Sequence, residues 1–352
     1  MAETGGTARE WKILEARPVT GGVARTVCIA NQKGGVAKTT TSVNLAAGLA
    51  LRGHRILVVD LDPQSNATTG LGIDHRAVER STYDLLLGGA SLAEVALPTS
   101  IDGLSVAPAT VDLAGAEVEL VAELMREARL RDALSDARDD YDLVFIDCPP
   151  SLGLLTINAL VAADDLIVPV QCEYYALEGL GQLLDTAERV RRSLNPALRI
   201  SGFLLTMFDA RTKLASQVTN DVRSHFGSLV FENVIPRSVR LSEAPSFGEP
   251  VLTLDAGSRG SVAYRRLAAE VEARYGLEVH VPAPPPPQPP TPPVVSNPPG
   301  VHGRGYGVVT PVPPGLAESW PPAPPWGPDG GVRKSDGGTW KSDGVELPVE
   351  AR

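Results

Sequence analysis

The chain has 352 residues, a formal net charge of −10 and three cysteines, which are too few for the disulfide framework of a small secreted domain. No apolar run approaches the roughly 18 residues of a membrane span, and the first residues lack the apolar segment of a signal peptide. These features exclude a disulfide-stapled secreted scaffold and predict a soluble, cytoplasmic protein.

Prolines are distributed unevenly along the chain. Twenty of the 31 prolines lie from Pro282 onward, together with three of the four tryptophans. Proline fixes its own backbone angle and lacks an N–H group, so this composition favours an extended segment without a core. We therefore expect a flexible leader over residues 1–24, an α/β domain over 25–280 and a Pro/Gly-rich disordered tail over 281–352.

Between the leader and the tail, short apolar runs alternate with helical patterns. The predicted strands are Thr26–Ala30, Ile56–Asp60, Leu104–Ala107, Leu143–Asp147, Leu166–Val170, Ile200–Thr206 and Val230–Ile235. The predicted helices include Thr39–Leu51, Leu113–Ala137 and Glu178–Leu194. Nearly continuous Val, Ile and Leu runs are typical of strands covered on both faces, and their alternation with helices predicts a mostly parallel sheet. Such sheets bind ligands at the carboxyl ends of their strands.

The first predicted strand leads into a glycine pair and then a helix, in the sequence VCIANQKGGVAKTTT over Val27–Thr41. Gly34 and Gly35 allow the backbone to turn its N–H groups towards an anion, and the start of the helix adds its positive dipole end. Lys38 is placed to reach the β- and γ-phosphates of a nucleotide, and the hydroxyl of Thr39 to ligate Mg²⁺. This pattern predicts a site for the phosphates of a nucleotide and for Mg²⁺. Its expected members are Lys33, Gly34, Gly35, Val36, Ala37, Lys38, Thr39 and Thr40.

The loop departs from the ordinary phosphate-loop pattern G-x-x-x-x-G-K-[ST]. That pattern needs glycine at positions 32 and 37, where the chain has Gln32 and Ala37, and the chain adds a second lysine, Lys33. The segment resembles the deviant Walker A motif, K-G-G-x-x-K-[ST], of the ParA/MinD class of ATPases. The resemblance implies a P-loop NTPase-like, mostly parallel twisted sheet flanked by helices. It also implies that Lys33 reaches the partner's ATP in a nucleotide-sandwich homodimer and that Lys38 acts on the ATP of its own subunit.

Glycine is the usual residue of that class at position 37, and the methyl group of Ala37 restricts the backbone angle φ. If the position takes ordinary helical angles, alanine is harmless. If it does not, we expect the affinity for ATP to fall.

Two later strands end in carboxylates. The segment ILVVDLDPQSNAT over Ile56–Thr68 places Asp60 and Asp62 before a proline turn, and LVFIDCPP begins at Leu143 and contains Asp147. Both resemble signatures of the same class. The resemblance implies that Asp62 positions or activates the attacking water and that Asp147, as the Walker B residue, holds Mg²⁺ together with Thr39.

The segment Arg189–Arg240 carries nine Lys or Arg and three Asp or Glu residues, a net charge of +6, which leaves −16 for the rest of the chain. A local basic patch can bind polyphosphate on an acidic protein, although a solvated helix face gives the same count. The motifs FLLTMFDARTKL (Phe203–Leu214) and IPRSVRLSEAPSFGEPV (Ile235–Val251) resemble the small chromosomal ParA (Soj) proteins, with a resemblance that covers residues 24–276. It implies that Arg211 and Arg240 bind double-stranded DNA without sequence preference.

The same resemblance implies that Met207, Pro236 and Arg237 line the adenine pocket. Lys213 and Arg223 are further candidates for DNA contacts, and each is equally consistent with an ordinary surface charge. The cysteines, Cys28, Cys148 and Cys172, lack C-x-x-C spacing and are expected to be small strand hydrophobes rather than metal ligands.

The expected function is that of a dimerising ATPase, slow alone and stimulated by a ParB-type partner, that binds nucleoid DNA and segregates chromosome origins. The basic amphipathic C-terminal helix by which MinD binds membranes is not found, so no membrane partner is expected, and the tail is a candidate docking segment for a polar scaffold. Two alternatives remain open. One is a ParA-like ATPase that positions a non-DNA protein cargo, and the other is a non-hydrolysing, nucleotide-gated scaffold.

Overall fold

A computed structural model describes residues 24–135, 139–173 and 180–278 of the protein. Contacts divide the chain into a unit of residues 1–284 and a unit of residues 285–352, and every described residue belongs to the first unit. The predicted leader, except residue 24, and the predicted tail beyond residue 280 lie outside the described residues.

Seven strands form one sheet in the order β3-β4-β2-β5-β1-β6-β7. The strands are β1 Arg25–Ile29, β2 Ile56–Asp60, β3 Leu97–Pro98, β4 Leu104–Ala107, β5 Leu143–Asp147, β6 Asp165–Gln171 and β7 Arg199–Thr206. Every neighbouring pair is parallel except β3–β4, which is antiparallel at the edge of the sheet. The predicted α/β fold with a mostly parallel sheet is confirmed.

Twelve helices connect or follow these strands in the described part of the chain. They are α1 Lys38–Ala50, α2 Asn66–Gly70, α3 Thr82–Leu87, α4 Leu92–Val95, α5 Leu113–Glu119, α6 Arg129–Ala133, α7 Leu154–Ala162, α8 Leu180–Ser193, α9 Lys213–Phe226, α10 Val239–Glu243, α11 Val251–Leu254 and α12 Arg259–Tyr275. Short 3₁₀ turns lie at Leu120–Ala122, Gly227–Leu229 and Ala244–Phe247. None of the described helices is long and apolar enough to cross a lipid bilayer.

The core consists of two apolar layers, one on each face of the sheet. Successive strand residues alternate between the layers: Val27 and Ile29 lie in the layer covered by α1 and α12, and Cys28 lies in the layer covered by α7, α8 and α9. This alternation follows from the two-residue period of a strand. Burial of both faces explains why the strands are nearly continuous apolar runs, and it leaves the strand ends and their loops as the place for a ligand site.

The prediction of one helix over Leu113–Ala137 is wrong. The structure instead has α5, a 3₁₀ turn at Leu120–Ala122 and α6, and residues 136–138 lie outside the described residues. Met125 takes a φ of 55° in the left-handed region, which a right-handed helix cannot contain. The apolar spacing across this segment therefore overstated the length of the helix.

The predicted strand Val230–Ile235 is also wrong, since this segment contributes only isolated bridges, such as that between Phe203 and Val230. The amides of residues 231 and 235 donate to carbonyls of β7, those of Phe203 and Leu205 (3.0 and 2.9 Å), but the backbone groups between them are bonded to side chains. The Arg223 guanidinium donates to the carbonyls of residues 231 and 232 (3.2 and 3.1 Å), and the carboxylate of Glu270 accepts from the amides of residues 232 and 233 (2.8 and 3.0 Å). The contact with β7 is therefore limited to isolated bonds and does not form a continuous ladder.

Candidate functional site

The loop between β1 and α1 borders a cavity of about 320 Å³ at the carboxyl end of the sheet. The residues around it come from the three segments identified in the sequence and from Met207, which follows β7. The lining consists of Gly34, Gly35, Ala37, Lys38, Thr39, Thr40, Asp62, Gln64, Asn66, Pro150 and Met207. The structure therefore brings the glycine pair, the loop lysine, the first helical hydroxyls and Asp62 around one space.

Two polar side chains, one just after β1 and one at the end of β7, hold the loop in place. Asn31 donates from Nδ2 to the carbonyl of Pro169 on β6 (2.7 Å) and accepts from the amide of Lys33 (3.0 Å). Thr206, at the end of β7, donates from its hydroxyl to the carbonyl of Val36 (3.1 Å). Sequence analysis missed both anchors, although a buried polar residue at the carboxyl end of an apolar strand is a usable signal for them.

Lys38 is buried at the first position of α1 and points along its own loop. Its Nζ donates to the carbonyl of Lys33 (3.4 Å). Burial lowers the pKa of Lys38, while the nearby carboxylates of Asp147 and Asp62 act to raise it. An ammonium that is held inside the loop and partly desolvated is placed to interact strongly with a phosphate that enters the cavity.

Asp147 lies at the end of β5 with both oxygens buried. Its Oδ1 accepts from the Ser42 hydroxyl (2.8 Å), whereas its Oδ2 is a buried atom without a hydrogen-bond partner. Burial raises the pKa of Asp147 to about 7, and the charge of Asp60 adds to this, while the hydroxyls of Thr39 and Ser42 act to lower it. A buried carboxylate oxygen without a partner, close to a helix-start hydroxyl, fits a hard divalent cation, so these residues suit Mg²⁺.

Asp60 and Asp62 have different surroundings despite their spacing of two. Asp60 is fully buried, and burial raises its pKa to about 6. It accepts three hydrogen bonds, from the hydroxyl and amide of Thr68 (2.7 and 2.9 Å) and from the amide of Asp62 (3.1 Å). Asp62 lines the cavity, and its carboxylate accepts only from the amide of Gln64 (3.0 Å) among the described hydrogen bonds. Asp60 is thus an anchor for the turn that carries Asp62.

Backbone strain is concentrated beside this cavity. Four non-glycine residues of the described chain have positive φ, and three of them border or adjoin the site: Ala37 (67°), Ser65 (56°) and Met207 (53°). Such angles are costly for residues with a Cβ and persist where the surrounding structure imposes them. Ala37 therefore does not take helical angles, so the second of the two cases considered for position 37 applies.

We expect Ala37→Gly to raise the free energy of unfolding by about 1 kcal/mol, because glycine takes the left-handed angles without the Cβ penalty. The matched control is Ala273→Gly, at an exposed position inside α12, which we expect to lower the free energy of unfolding by about 1 kcal/mol. Urea denaturation of both variants measures the two effects. Equal destabilisation by both substitutions would show that the left-handed angle of Ala37 carries no strain.

Of the three residues assigned to the adenine pocket, one lines the cavity and two do not. Met207 lines the cavity, and the amide Nε2 of Gln171 lies 3.4 Å from its sulfur. Pro236 is tied to the same region by a bridge to Phe208. Arg237 is anchored by its amide to the Phe208 carbonyl (2.9 Å), but its side chain is exposed, with Nη2 3.6 Å from a carboxylate oxygen of residue 173. Within the described residues, the cavity lining includes Met207 but neither Pro236 nor Arg237.

The two arginines assigned to DNA are exposed, and both are already paired with carboxylates. Arg211 is 86% exposed and donates twice to Asp209 (2.9 and 2.7 Å), which holds the pKa of Asp209 well below its ordinary value. Arg240 lies 3.1 Å from Glu243 and 3.3 Å from Asp255. A phosphate would therefore have to compete with these partners.

The two weaker candidates for DNA contacts differ from one another. Lys213 is exposed at the first position of α9. Arg223 is only half-exposed, and its guanidinium is bonded to two backbone carbonyls of the loop that follows α9. Arg223 is therefore a structural residue of this loop. Lys213, in contrast, lies on the surface, as an ordinary surface charge would.

A glycine-rich loop between a buried parallel strand and a helix, together with a lysine, a helix-start hydroxyl and strand-end carboxylates, defines a P-loop nucleotide-binding α/β protein. A family model described as an AAA domain matches residues 24–200. The chain is 55% identical over 251 residues to the sporulation initiation inhibitor protein Soj of Bacillus subtilis, covering 71% of this chain and 99% of that protein. It is 54% identical over 252 residues to the chromosome partitioning protein ParA of Myxococcus xanthus, covering 72% of this chain and 89% of that protein. The chain belongs to the Soj/ParA family of chromosome-partitioning proteins.

Solved structures agree with this family assignment. A crystal structure from Mycobacterium smegmatis described as cobyrinic acid a,c-diamide synthase, with bound ATP analog and magnesium, is 40% identical to the chain. It has a TM-score of 0.64 and covers 73% of this chain and 98% of its own. The similarity extends over nearly the whole of that protein, so the described domain has the architecture of a P-loop protein that binds a nucleotide and magnesium.

Proposed function

We propose that the protein is a slow ATPase that closes as a homodimer over two ATP molecules, binds nucleoid DNA without sequence preference and segregates chromosome origins with a ParB-type partner. The observation that carries this proposal is the different placement of two lysines on one phosphate loop. Membership of the Soj/ParA family supports the ATPase activity and the role in chromosome partition.

Lys38 and Lys33 are suited to the phosphates of two different nucleotides, one bound by the same subunit and one by its partner. Lys38 is buried and directed along its own loop, so it serves the nucleotide of its own subunit. Lys33 is only half-buried, and no carboxylate among the described residues lies within ion-pair distance of its ammonium. A partly exposed cation on the phosphate loop, outside the cavity lining and with no carboxylate partner among the described residues, favours contact with a nucleotide held by a second subunit.

ATP and Mg²⁺ are the cofactors in this proposal. Thr39 and Asp147 would hold Mg²⁺, and the ion supplies charge neutralisation at the phosphate oxygens when bound. Ser42 orients Asp147 through its hydroxyl, and Lys38 provides the fixed positive charge beside it. Asp62, on a turn anchored by Asp60, would accept or orient a proton of the attacking water.

Arg211 and Arg240 would contact the DNA backbone, giving four arginine–phosphate contacts in a dimer and two in a monomer. Four contacts correspond to a slope of about −3.6 for the logarithm of the binding constant against the logarithm of salt concentration. Binding would then weaken by about 150-fold between 50 and 200 mM salt. Because a monomer has half the contacts, nucleotide state would control occupancy of DNA.

The test is a comparison of Lys33→Ala with Lys38→Ala, with Lys213→Ala as an exposed control. We expect Lys38→Ala to weaken ATP binding on the order of 10- to 100-fold, since a charged contact is lost. Lys33→Ala should keep its affinity for ATP as a monomer but lose ATP-dependent dimerisation. Calorimetric titration with a non-hydrolysable ATP analogue and light scattering measure the two properties.

Two results would contradict the proposal. If Lys33→Ala dimerises with the analogue as well as wild type does, Lys33 does not act across a subunit interface. If wild type itself stays monomeric with the analogue and Mg²⁺, the homodimer is wrong. The control, Lys213→Ala, should behave as wild type in both measurements, because it lies on α9 and not on the phosphate loop.

A further inference from the structure

One strained peptide of the phosphate loop is held by a residue from a distant strand. The peptide joins Val36 to Ala37, and Ala37 takes a φ of 67°. The carbonyl of Val36 accepts from the hydroxyl of Thr206, at the end of β7 (3.1 Å), and has no other partner among the described hydrogen bonds. Thr206 is 0% exposed and Val36 1% exposed, so this bond is shielded from water.

The same bond determines where the amide of Ala37 points. No peptide of the described residues is cis, and in a planar trans peptide the N–H lies opposite to the C=O. Because the carbonyl of Val36 is directed at Thr206, the amide of Ala37 is directed away from Thr206. Ala37 lines the nucleotide cavity, and within the described part of the chain its amide donates no hydrogen bond. It is a backbone donor of the kind that binds phosphate in a glycine-rich loop.

A rotation of this peptide plane would relieve the strain at Ala37. Such a rotation exchanges the directions of the N–H and the C=O and changes the φ of the following residue by about half a turn, which takes Ala37 from 67° to a negative angle. Alanine is more stable at a negative φ, because its Cβ then avoids the left-handed penalty. The rotated peptide would present the carbonyl of Val36 where the amide had been, and a carbonyl oxygen repels a phosphate.

The hydroxyl of Thr206 opposes this rotation. β7 is paired with β6, and the carbonyl of Thr206 accepts from the amide of Cys172 (3.0 Å), so a fixed backbone presents the hydroxyl to the loop. Without the hydroxyl, the carbonyl of Val36 would be a buried acceptor that has lost its partner, an arrangement that folded proteins avoid. Loss of the hydroxyl and relief of the strain at Ala37 therefore act in the same direction, towards the rotated peptide.

We propose that Thr206 is a positioning residue for ATP: its hydroxyl holds the peptide between Val36 and Ala37 with the N–H towards the phosphates, against the strain of Ala37. The inference rests on the proposed function only in that this loop binds the phosphates of ATP. It gives a role in nucleotide binding to a residue that lies 170 positions from Val36 and outside the cavity lining. A loop with glycine at position 37 depends less on this bond, because glycine takes the left-handed angle without strain.

The experiment compares Thr206→Val, which removes the hydroxyl at nearly constant volume, with Thr206→Ser, which keeps it, both in the full chain. Thr26→Val is the matched control, since Thr26 is a fully buried threonine of β1 whose hydroxyl has no hydrogen-bond partner among the described residues. Calorimetric titration with a non-hydrolysable ATP analogue and Mg²⁺ measures affinity. We expect Thr206→Val to weaken binding on the order of tenfold, whereas Thr206→Ser and Thr26→Val bind within about twofold of wild type.

A second substitution separates positioning of the peptide from damage to the fold. Ala37→Gly, added to Thr206→Val, should recover part of the lost affinity, because glycine takes the left-handed angle without the hydroxyl to enforce it. Urea denaturation should also show a smaller gain in stability from Ala37→Gly in this background than in wild type, since the rotated peptide has already relieved the strain. Because Ala37→Gly stabilises the chain, the double variant can be compared with Ala37→Gly even if Thr206→Val alone is unstable.

The other outcomes overturn the proposal in distinguishable ways. If Thr206→Val binds the analogue as well as wild type does, the peptide keeps its orientation without the hydroxyl. Equal weakening in Thr206→Val and Thr206→Ser would assign the effect to packing around β7, and so would a loss of affinity that Ala37→Gly does not reduce. Each of these results leaves the proposed function intact. A wild-type protein that does not bind the analogue would contradict the proposed function, and the positioning role with it.

Discussion

Replacement of Asp62 by alanine is expected to slow ATP hydrolysis by about 100-fold or more, the range found when a group that handles the proton of an attacking nucleophile is lost. The carboxylate lines the nucleotide cavity, and its only described hydrogen bond is to the amide of Gln64. The substitution therefore leaves the phosphate loop and the buried anchor Asp60 in place. ATP binding and dimerisation should persist, so the ATP-bound dimer accumulates and stays on DNA.

Single-turnover hydrolysis and light scattering in the presence of ATP measure these two effects. Asp74→Ala is the matched control, since Asp74 is an exposed carboxylate on the loop after α2 and pairs only with Arg76 among the described ion pairs. If Asp62→Ala hydrolyses ATP at the wild-type rate, Asp62 takes no part in the reaction. If the variant also fails to dimerise, Asp62 contributes to closure of the dimer rather than to the chemical step.

The sequence predicted the fold and the position of the site because both depend on local patterns. Six of the seven strands coincide with apolar runs identified in advance, within one residue at each end. The glycine pair, Lys38 and the strand-end carboxylates then fall at the same edge of the sheet, as parallel strands require. The missing strand, Leu97–Pro98, is two residues long and has no pattern of its own.

Features that depend on distant contacts were not predictable. The bond from Asn31 to Pro169 joins residues 138 positions apart, and the hydroxyl of Thr206 reaches the phosphate loop from a strand 170 positions away. Likewise, the segment Val230–Ile235 has the composition of a strand, but Arg223 bonds the carbonyls of residues 231 and 232 and Glu270 bonds the amides of residues 232 and 233. In each case the outcome is set by a side chain from elsewhere in the fold, which no local pattern contains.

At position 37, a local rule and the fold together determine how a substitution changes the free energy of unfolding. The rule states that a Cβ restricts φ, and the structure adds that this residue is held at 67°. The strain lies at the start of α1, one residue before the buried Lys38. A loop that stores such strain is expected to gain stability when glycine replaces alanine, which is the reason for the stability test at this position.

Reversal of charge at the proposed DNA contacts should have the second large effect. We expect Arg211→Glu or Arg240→Glu to remove two of the four contacts of a dimer, which lowers the salt slope from about −3.6 to about −1.8. Loss of both arginines should abolish ATP-dependent binding to DNA. Sedimentation with long double-stranded DNA at 50 and 200 mM salt, with ATP, with ADP and without nucleotide, measures the slope and its dependence on nucleotide.

Arg76→Glu is the matched control for Arg211→Glu. Both arginines are highly exposed, and each pairs with an aspartate two residues earlier in the chain, Asp74 for Arg76 and Asp209 for Arg211. The two substitutions therefore make the same charge change and break the same kind of local ion pair, but only Arg211 lies in the basic segment. Equal loss of binding in both variants would show that net charge alone controls affinity. Loss in Arg211→Glu alone, with a reduced salt slope, would identify the backbone contact and connect nucleotide state to DNA occupancy.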